Sequence, residues 1–393
     1  MTSSTHIKRK ILFLTSFTLP DTAGSGINAF RFARFINKRG DKATILTFNR
    51  NCKLQSKEVI ENVPIYRIPY FNKGLIMKIL SLPMVISYFF LFILRNDIII
   101  IFGGKTFAYN IAIMLAFLFR KKIVFRSLLY GVDDYNTLTK SKVSLLGRLK
   151  RYLLHASNIY YTINPFIAKS YSDRVPDKSK ILPLPQGVDN ERFYPIYDEE
   201  KKRLRKELKL DETNIIISIG FLINRKGYKE VFDSLSSLNI PFVYIIIGEY
   251  NFTGLHFLSN YQDESKKLVH YGQDKLGERL ILKGKRENVH RYLQAADIFI
   301  HNAENEIPNV VYEAMACGLP VIARNMGADN NFLLENKKNC LLTDEKYSVR
   351  EAVMELFDNR GLRFSLGSNA CKKIEQKAGF EYVYSHLIEY LYT

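Results

Sequence analysis

The sequence predicts an α/β protein of two doubly wound, Rossmann-like domains facing each other across a cleft. Three observations carry this reading: two successive series of short apolar runs alternating with helical stretches, a composition of 47% hydrophobic and 24% charged residues over 393 positions, and a change of pattern and of charge near Pro195. Apolar strands separated by helices imply parallel sheets covered on both faces, and a chain of this length accommodates two domains. The predicted domains are residues 1–195 and 196–375, with a terminal helix over 376–393 expected to pack back on the first.

In the first series the expected strands are Ile11 to Phe17, Ala43 to Phe48, Asp97 to Phe102 and Ile123 to Arg126, with a helix near Asn28 to Lys38. The second series opens with the charged helix DEEKKRLRKELKL and continues through NIIISIG, FVYIIIG, RLILKG, DIFIHN and PVIA. Within ENEIPNVVYEAMACGLPVIA, a short helix is expected to begin with Pro308 in its first position and to stop at Gly318, with a strand from Leu319 to Ala323. That puts Glu313 in the middle of the helix, either on a solvated face or as an arm toward a ligand.

Charge divides as sharply as pattern. Thirty of the 57 Lys and Arg, but 11 of the 39 Asp and Glu, lie in residues 1–195, a net charge of +19 there and −1 in the remainder. Such a bias attracts phosphate-bearing partners: a membrane leaflet, a lipid pyrophosphate or a nucleic acid. Two apolar runs, ILSLPMVISYFFLFIL between Lys78 and Arg95 and a shorter one from Ala108 to Phe119, fall short of the roughly 20 residues a spanning helix needs. They read as buried helices of an α/β domain. The alternative is a helix lying in a membrane interface, since Lys73, Lys78, Arg95 and Arg120 to Lys122 flank them with positive charge.

Cys52, Cys317, Cys340 and Cys371 form no CxxC pair and have no histidine cluster beside them, which argues against a zinc site and for a reducing compartment. The opening MTSSTHIKRKILFLTSF reads as a first buried strand rather than a signal peptide, so a cytoplasmic protein is expected. The seven histidines show no HxH or HExxH spacing, and GxSxG and Walker A patterns are missing, which removes metal-centred, hydrolase and P-loop readings. His301 reads as structural. No nucleic-acid recognition module matches the basic half.

Ligands of doubly wound sheets bind beyond the carboxyl ends of the strands. After the first strand, Gly24, Ser25 and Gly26 precede a helix, and their backbone N–H groups at a positive helix terminus can seat a phosphate or polar ligand; a plain tight turn explains the glycines as well. After NIIISIG, whose Gly220 is a further candidate for ligand contact, Arg225 and Lys226 lie beside Gly227 at a strand-to-helix turn. Two fixed cations there can hold a diphosphate and neutralise its charge as a leaving group.

The segments GVDNERFYP, GFLINRKG, YLQAADIFIHNAENEIPNVVYEAMACGLPVIA and NCLLTDE, in this order, resemble the family 4 retaining glycosyltransferases, the glycosyl transferases group 1, which have the GT-B fold. The similarity is densest from Asp297 to Ala323, and the opening GSGINAFRFARFINKRGDKATILTF is similar to that family's first glycine loop, helix and second strand. The resemblance implies that Lys226 contacts the donor diphosphate and that Glu313 grips the donor ribose. It also implies that the backbone of Ile307, Pro308, Asn309 and Val310 faces the donor sugar and phosphate. Three departures stand out. Asn305 takes the place of the family's first glutamate, flanked by Glu304 and Glu306; Phe221 takes that of an arginine, leaving Arg225 as second cation; and FRSLLYGVDDY lacks a histidine found in many relatives, which makes Arg126, Asp133 and Asp134 the acceptor-side candidates.

The expected activity is therefore metal-independent, retaining transfer of a hexose from a UDP- or GDP-sugar to a hydroxyl, with no cofactor. The acceptor would be a lipid-linked glycan of a capsule, O-antigen or exopolysaccharide, held at an anionic membrane surface on the inner face of the cell membrane. Lys226, Arg225, Glu313, Asn305 and Glu306 would carry the chemistry. The alternatives are a non-catalytic subunit of the same architecture and a sugar-nucleotide epimerase.

Overall fold

The computed structural model describes residues 8–20, 24–50, 54–70, 80–103, 107–139, 145–210, 214–252, 259–304, 306–327 and 332–393. The chain divides into two units, Met1–Gly187 with Val383–Thr393, and Val188–Tyr382.

The first unit runs β1 (Lys10–Leu14), α1 (Gly24–Lys38), β2 (Lys42–Arg50), β3 (Lys57–Ile60), β4 (Val63–Tyr70), α2 (Leu82–Leu94), β5 (Ile98–Phe102), α3 (Phe107–Leu118), β6 (Lys122–Ser127), α4 (Tyr135–Leu138), α5 (Leu145–His155), β7 (Ile159–Thr162), α6 (Pro165–Ser172) and β8 (Ile181–Pro183). Its eight strands lie in the order β3-β4-β2-β1-β5-β6-β7-β8. Every pairing is parallel except the β3–β4 hairpin. Phe13 of β1 sits in register with Ile45 on one side and Ile100 on the other, and β5 is buried along its whole length, as a central parallel strand must be.

The second unit runs α7 (Asp198–Leu208), β9 (Asn214–Ile219), α8 (Tyr228–Ser236), β10 (Phe242–Ile247), α9 (Gln262–Leu276), β11 (Leu280–Gly284), α10 (Val289–Ala295), β12 (Ile298–His301), α11 (Asn309–Ala316), β13 (Val321–Arg324), β14 (Leu341–Thr343), α12 (Val349–Asp358), α13 (Arg360–Lys377) and the start of α14 (Phe380–Tyr392). Its all-parallel sheet has the order β11-β10-β9-β12-β13-β14. Alternate residues serve opposite faces: Ile215 and Ile217 join the core formed with Val311, Met315 and Ile374, while Ile216 joins that formed with Phe232, Val353 and Leu356. Helices thus cover both sides, and the strand ends are left to carry chemistry.

The division falls at Gly187/Val188, eight residues ahead of Pro195. Val188 bonds through its N–H to the Ala378 carbonyl and through its carbonyl to the Phe380 N–H, and Phe193 is buried in the second unit's core, so the VDNERF segment belongs to the second unit. The return to the first unit starts at Val383 rather than 376, because α13 continues to Lys377 with Ala370 and Ile374 in the second core. Within the first unit Tyr384 packs on Phe32 and Phe35 and its hydroxyl bonds the Asp41 carboxylate.

The run between Lys78 and Arg95 departs from the buried helix expected of it. α2 fully buries only Val85, Phe89 and Ile93, one residue per turn, half-buries Leu82, Tyr88 and Phe92, and leaves Met84, Ile86, Phe90, Leu91 and Leu94 exposed.

Candidate functional site

The loop after β9 is built on glycines that bring backbones together. Gly220 has φ +152°, and a Cβ on Gly248 would collide with its carbonyl. The chain then makes a 3₁₀ turn, Asn224–Lys226, closed by Gly227 at φ +70° before α8. A Cβ on Gly227 would run into the carbonyl oxygen of Asn302, so the loop after β9 and the loop after β12 meet backbone to backbone. Gly227→Ala should therefore lower stability by about 1–3 kcal/mol from the left-handed conformation alone, with the collision added. The denaturation midpoint measures it, and an unchanged midpoint would mean that the two loops part freely.

This approach joins residues 80 positions apart. One oxygen of the Glu306 carboxylate contacts Lys226 Nζ and the other contacts Arg225 Nη1. The Lys226 side chain is 11% exposed and that of Arg225 49%. Burial, then the neighbouring Arg225 guanidinium, pulls the Lys226 ammonium down to about 7, while contact with Glu306 acts in the opposite sense. His301, the last residue of β12, is buried, and burial first, then Lys226 and Arg225, hold it well below its ordinary range, so the ring is neutral. Its Nε2 lies 3.2 Å from the Glu306 carbonyl oxygen, which requires the tautomer that donates there.

Further bonds hold this loop. Asn302 Nδ2 donates to Glu230 Oε2 at 2.8 Å, and Arg324, at the carboxyl end of β13, pairs with Glu304 at 3.2 Å. Of these residues the sequence reading named Glu304, as a neighbour of Asn305, and His301, taken as structural. The available signal for Arg324 was its place at a strand's carboxyl end. Nothing in the sequence pairs Asn302 with Glu230.

In α11, Pro308 is the N-cap, with extended ψ of 159°, and not the first helical residue. The helix closes when Cys317 N–H bonds the Glu313 carbonyl and Leu319 N–H bonds that of Ala314, with Gly318 at φ +72°. Leu319 is thus held by the helix end and Pro320 has no N–H for the ladder, so β13 starts at Val321 instead of Leu319. Glu313 is 9% exposed among buried Val311, Tyr312, Ala314 and Met315, which rules out a solvated face. Asn309 Nδ2 donates to its Oε1 at 3.2 Å, and Asn309 Oδ1 is buried without a hydrogen-bond partner. Ile307 is buried; Val310 is half-buried against the core. Asn305 lies outside the described residues.

The remaining candidates lie in the first unit. Gly24 begins α1 in open space, Ser25 is half-buried, and Gly26 is required by packing, since a Cβ there would strike the Phe17 carbonyl. Arg126 is wholly buried, its Cζ 4.7 Å from the Phe102 ring centroid and 4.6 Å from that of Tyr161. Its Nη2 donates to Asn28 Oδ1 at 3.0 Å and to the Gln186 carbonyl at 2.9 Å, while Nε and Nη1 have no hydrogen-bond partner. Asp133 is buried, its carboxylate over Gly103 and 3.4 Å from Leu128 N. Asp134 caps α4: its oxygens accept from Thr137 N at 3.1 Å, Thr137 Oγ1 at 2.7 Å and Gly131 N at 2.7 Å, and this accounts for it without a ligand. Among the described residues no group of three or more His, Cys, Asp or Glu is arranged to hold a metal ion.

Residues 200–373 match the family model described as glycosyl transferases group 1. The chain is 25% identical over 238 residues to spore coat protein SA of Bacillus subtilis, covering 58% of this chain and 63% of that protein. It is 28% identical over 200 residues to the N,N'-diacetylbacillosaminyl-diphospho-undecaprenol alpha-1,3-N-acetylgalactosaminyltransferase of Campylobacter jejuni, covering 47% of each. The aligned region thus spans less than two thirds of either relative. Among solved structures, Anabaena HepE in complex with UDP and glucose superposes with a TM-score of 0.74 at 18% identity, over 98% of this chain and 100% of that one. Two predominantly parallel α/β sheets with these neighbours make the fold GT-B, and it is over residues 200–373 that the chain matches the glycosyl transferases group 1.

Proposed function

We propose that this chain transfers a hexose from a nucleoside diphosphate sugar to a hydroxyl of a lipid-linked glycan, with retention at the anomeric carbon and without a tightly bound metal. The observation that carries the reading is the convergence of Lys226 and Arg225 on a single carboxylate at the carboxyl end of β9, inside a glycosyl transferases group 1 domain. Two cations that hold one carboxylate can hold a diphosphate by the same charge-assisted bonds. As the bond from C1 to the phosphate oxygen breaks, they stabilise the charge that develops on that oxygen; the acceptor oxygen bonds to C1, and its proton leaves to a base or to the departing phosphate. Glu313 accepts hydrogen bonds from the ribose hydroxyls. Asn305 and Glu306 position the donor sugar, Gly220 and the backbone of Ile307 to Val310 line its phosphate and sugar, and Gly24 to Gly26 seat the diphosphate or the acceptor edge.

On the acceptor side Arg126, with unsatisfied N–H groups, and Asp133 are the candidates. The Campylobacter relative's name, which specifies a diphospho-undecaprenol, supports a lipid-linked acceptor, and with such an acceptor the chain would work peripherally at the inner face of the cell membrane. The UDP in HepE supports a UDP-sugar. A second reading, a subunit that binds donor without turning it over, is favoured by Phe221, whose ring packs on Phe252 where relatives place an arginine.

A thermal-shift series with UDP, GDP, ADP, CMP and their sugars tests the donor site. One nucleotide should raise the melting temperature of the wild type, and Glu313→Ala and the isosteric Glu313→Gln should lose that rise. No response to any nucleotide, or an undiminished response in both variants, would defeat the assignment; a response without transfer to any acceptor would favour the second reading.

A further inference from the structure

We infer that the outward faces of α2, α3 and α5 form a docking surface for an anionic lipid bilayer. The three helices lie side by side, α2 against α3 and α3 against α5. Their outer residues interlock, the Phe90 and Phe119 rings meeting edge-on at 5.5 Å and those of Phe117 and Tyr152 at 6.4 Å. On α2 the exposed positions include Met84, Ile86, Phe90, Leu91 and Leu94, and its 13 residues contain no charge. α3 adds Phe117 and Leu118, the latter 69% exposed, and α5 adds Leu149 and Tyr152, the latter 63% exposed.

An ordinary surface helix keeps its outer face charged, as α7 does with the sequence DEEKKRLRKEL. Exposed apolar side chains gathered on three adjoining helices mark an interaction surface.

Charge identifies the occupant. No Asp or Glu occurs from residue 62 to 96, from 98 to 132 or from 135 to 172, so all three helices lack acidic residues entirely. Exposed cations stand at the edges of the face: Arg95 after α2, Arg120 after α3 and Arg148 on α5. Apolar side chains rimmed by cations, with no acidic residue on any of the three helices and exposed Asp97 two residues past Arg95, match the acyl boundary and phosphate headgroups of an anionic leaflet. At 1.5 Å per residue α2 is about 20 Å long, too short to cross a bilayer. Among the described residues no helix is long and apolar enough to do so. The helices therefore lie in the interface plane. This inference deepens the proposed function, resting on its lipid-linked acceptor for its biological sense, but its physical argument uses none of the donor-site residues.

Sedimentation of the full chain with vesicles tests it. Wild type should pellet with phosphatidylcholine–phosphatidylglycerol vesicles at low salt, and much less with phosphatidylcholine alone. The double variant Phe90→Glu/Leu91→Glu should bind at least tenfold more weakly, and Arg120→Glu/Arg148→Glu should lose the preference for the anionic vesicles. All four positions are exposed, and because Phe90 also packs on Phe119, a cooperative melting transition is checked in each variant to show that it is folded. Wild type staying in the supernatant with anionic vesicles, or the apolar double variant binding like wild type, would overturn the assignment. So would a dimer in analytical ultracentrifugation that this variant dissolves, which would give the face to a second copy. Failure of the donor reading shows separately, as loss of every nucleotide-induced melting shift while vesicle binding persists.

Discussion

Replacing Lys226 by alanine is expected to slow sugar transfer by roughly 10²-fold or more, the usual scale for removing one donor aimed at developing oxyanion charge. The ammonium is the buried member of the cation pair; Arg225 is half exposed, and its field is weakened by water and salt. The same lysine imposes a pH dependence. Burial and Arg225 bring it to about 7 in the unliganded protein. A diphosphate stabilises the charged form and raises that value, so above about pH 7 binding takes up a proton. Affinity for the nucleoside diphosphate should then fall by up to about tenfold per pH unit until the pKa of the complex is reached.

Stability responds with a defined sign. An unfolded lysine titrates near 10.5, so between about 7 and about 10.5 the unfolded chain holds a proton that the folded chain lacks, and stability rises with pH across that window. Titration calorimetry in two buffers of different ionisation heat, at a pH where a terminal phosphate with second pKa of about 6 is fully ionised, measures the uptake. About one proton is expected for wild type and none for Lys226→Ala; His301, held neutral in its buried position, contributes nothing. Affinity flat across this window, or equal uptake in the variant, would remove Lys226 from the diphosphate.

How much could be read in advance depends on how far apart the interacting residues lie. Strands β9, β10 and β12 are runs of Ile, Val and Phe buried on both faces, so composition alone marks them. β4 escaped notice because Pro64 and Pro69 interrupt it and Arg67 sits inside it. That arginine is buried, bonding the Glu58 carboxylate and the Leu19 and Gln55 carbonyls. Together with Arg126 it also shows that the positive charge of the first 195 residues is not all surface charge. The helix bearing Glu313 and the turn bearing Lys226 were legible as separate motifs. Their environment was not, because the contact of Gly227 with Asn302 that brings Glu306 to the two cations depends on backbone proximity across 75 positions. The outward face of α2 was left undecided for a different reason. An uninterrupted apolar run has no periodicity from which a buried face can be told from an exposed one.

Substituting Glu306 by glutamine is expected to tighten nucleoside diphosphate binding by about tenfold, equivalent to about 1.4 kcal/mol, while transfer slows. In the unliganded site both Glu306 oxygens are taken by Lys226 and Arg225, the cations proposed to hold the donor, so the diphosphate must displace a carboxylate before it binds. Glutamine keeps the shape and the hydrogen-bonding reach but lacks the charge that competes. Once displaced, the carboxylate is free to face the donor sugar from a position one residue beyond Asn305, and glutamine cannot oppose positive charge developing at C1 from there. Affinity and turnover should therefore move in opposite directions, whereas simple damage to the loop would weaken both. The lysine provides an independent readout. Without Glu306 beside it, Lys226 loses the interaction that favours its charged form, so the pH at which binding begins to take up a proton should move lower in Glu306→Gln than in wild type. Equal affinity and an unmoved proton-uptake profile would mean that Glu306 does not occupy the cations in solution and that the donor enters a site already open.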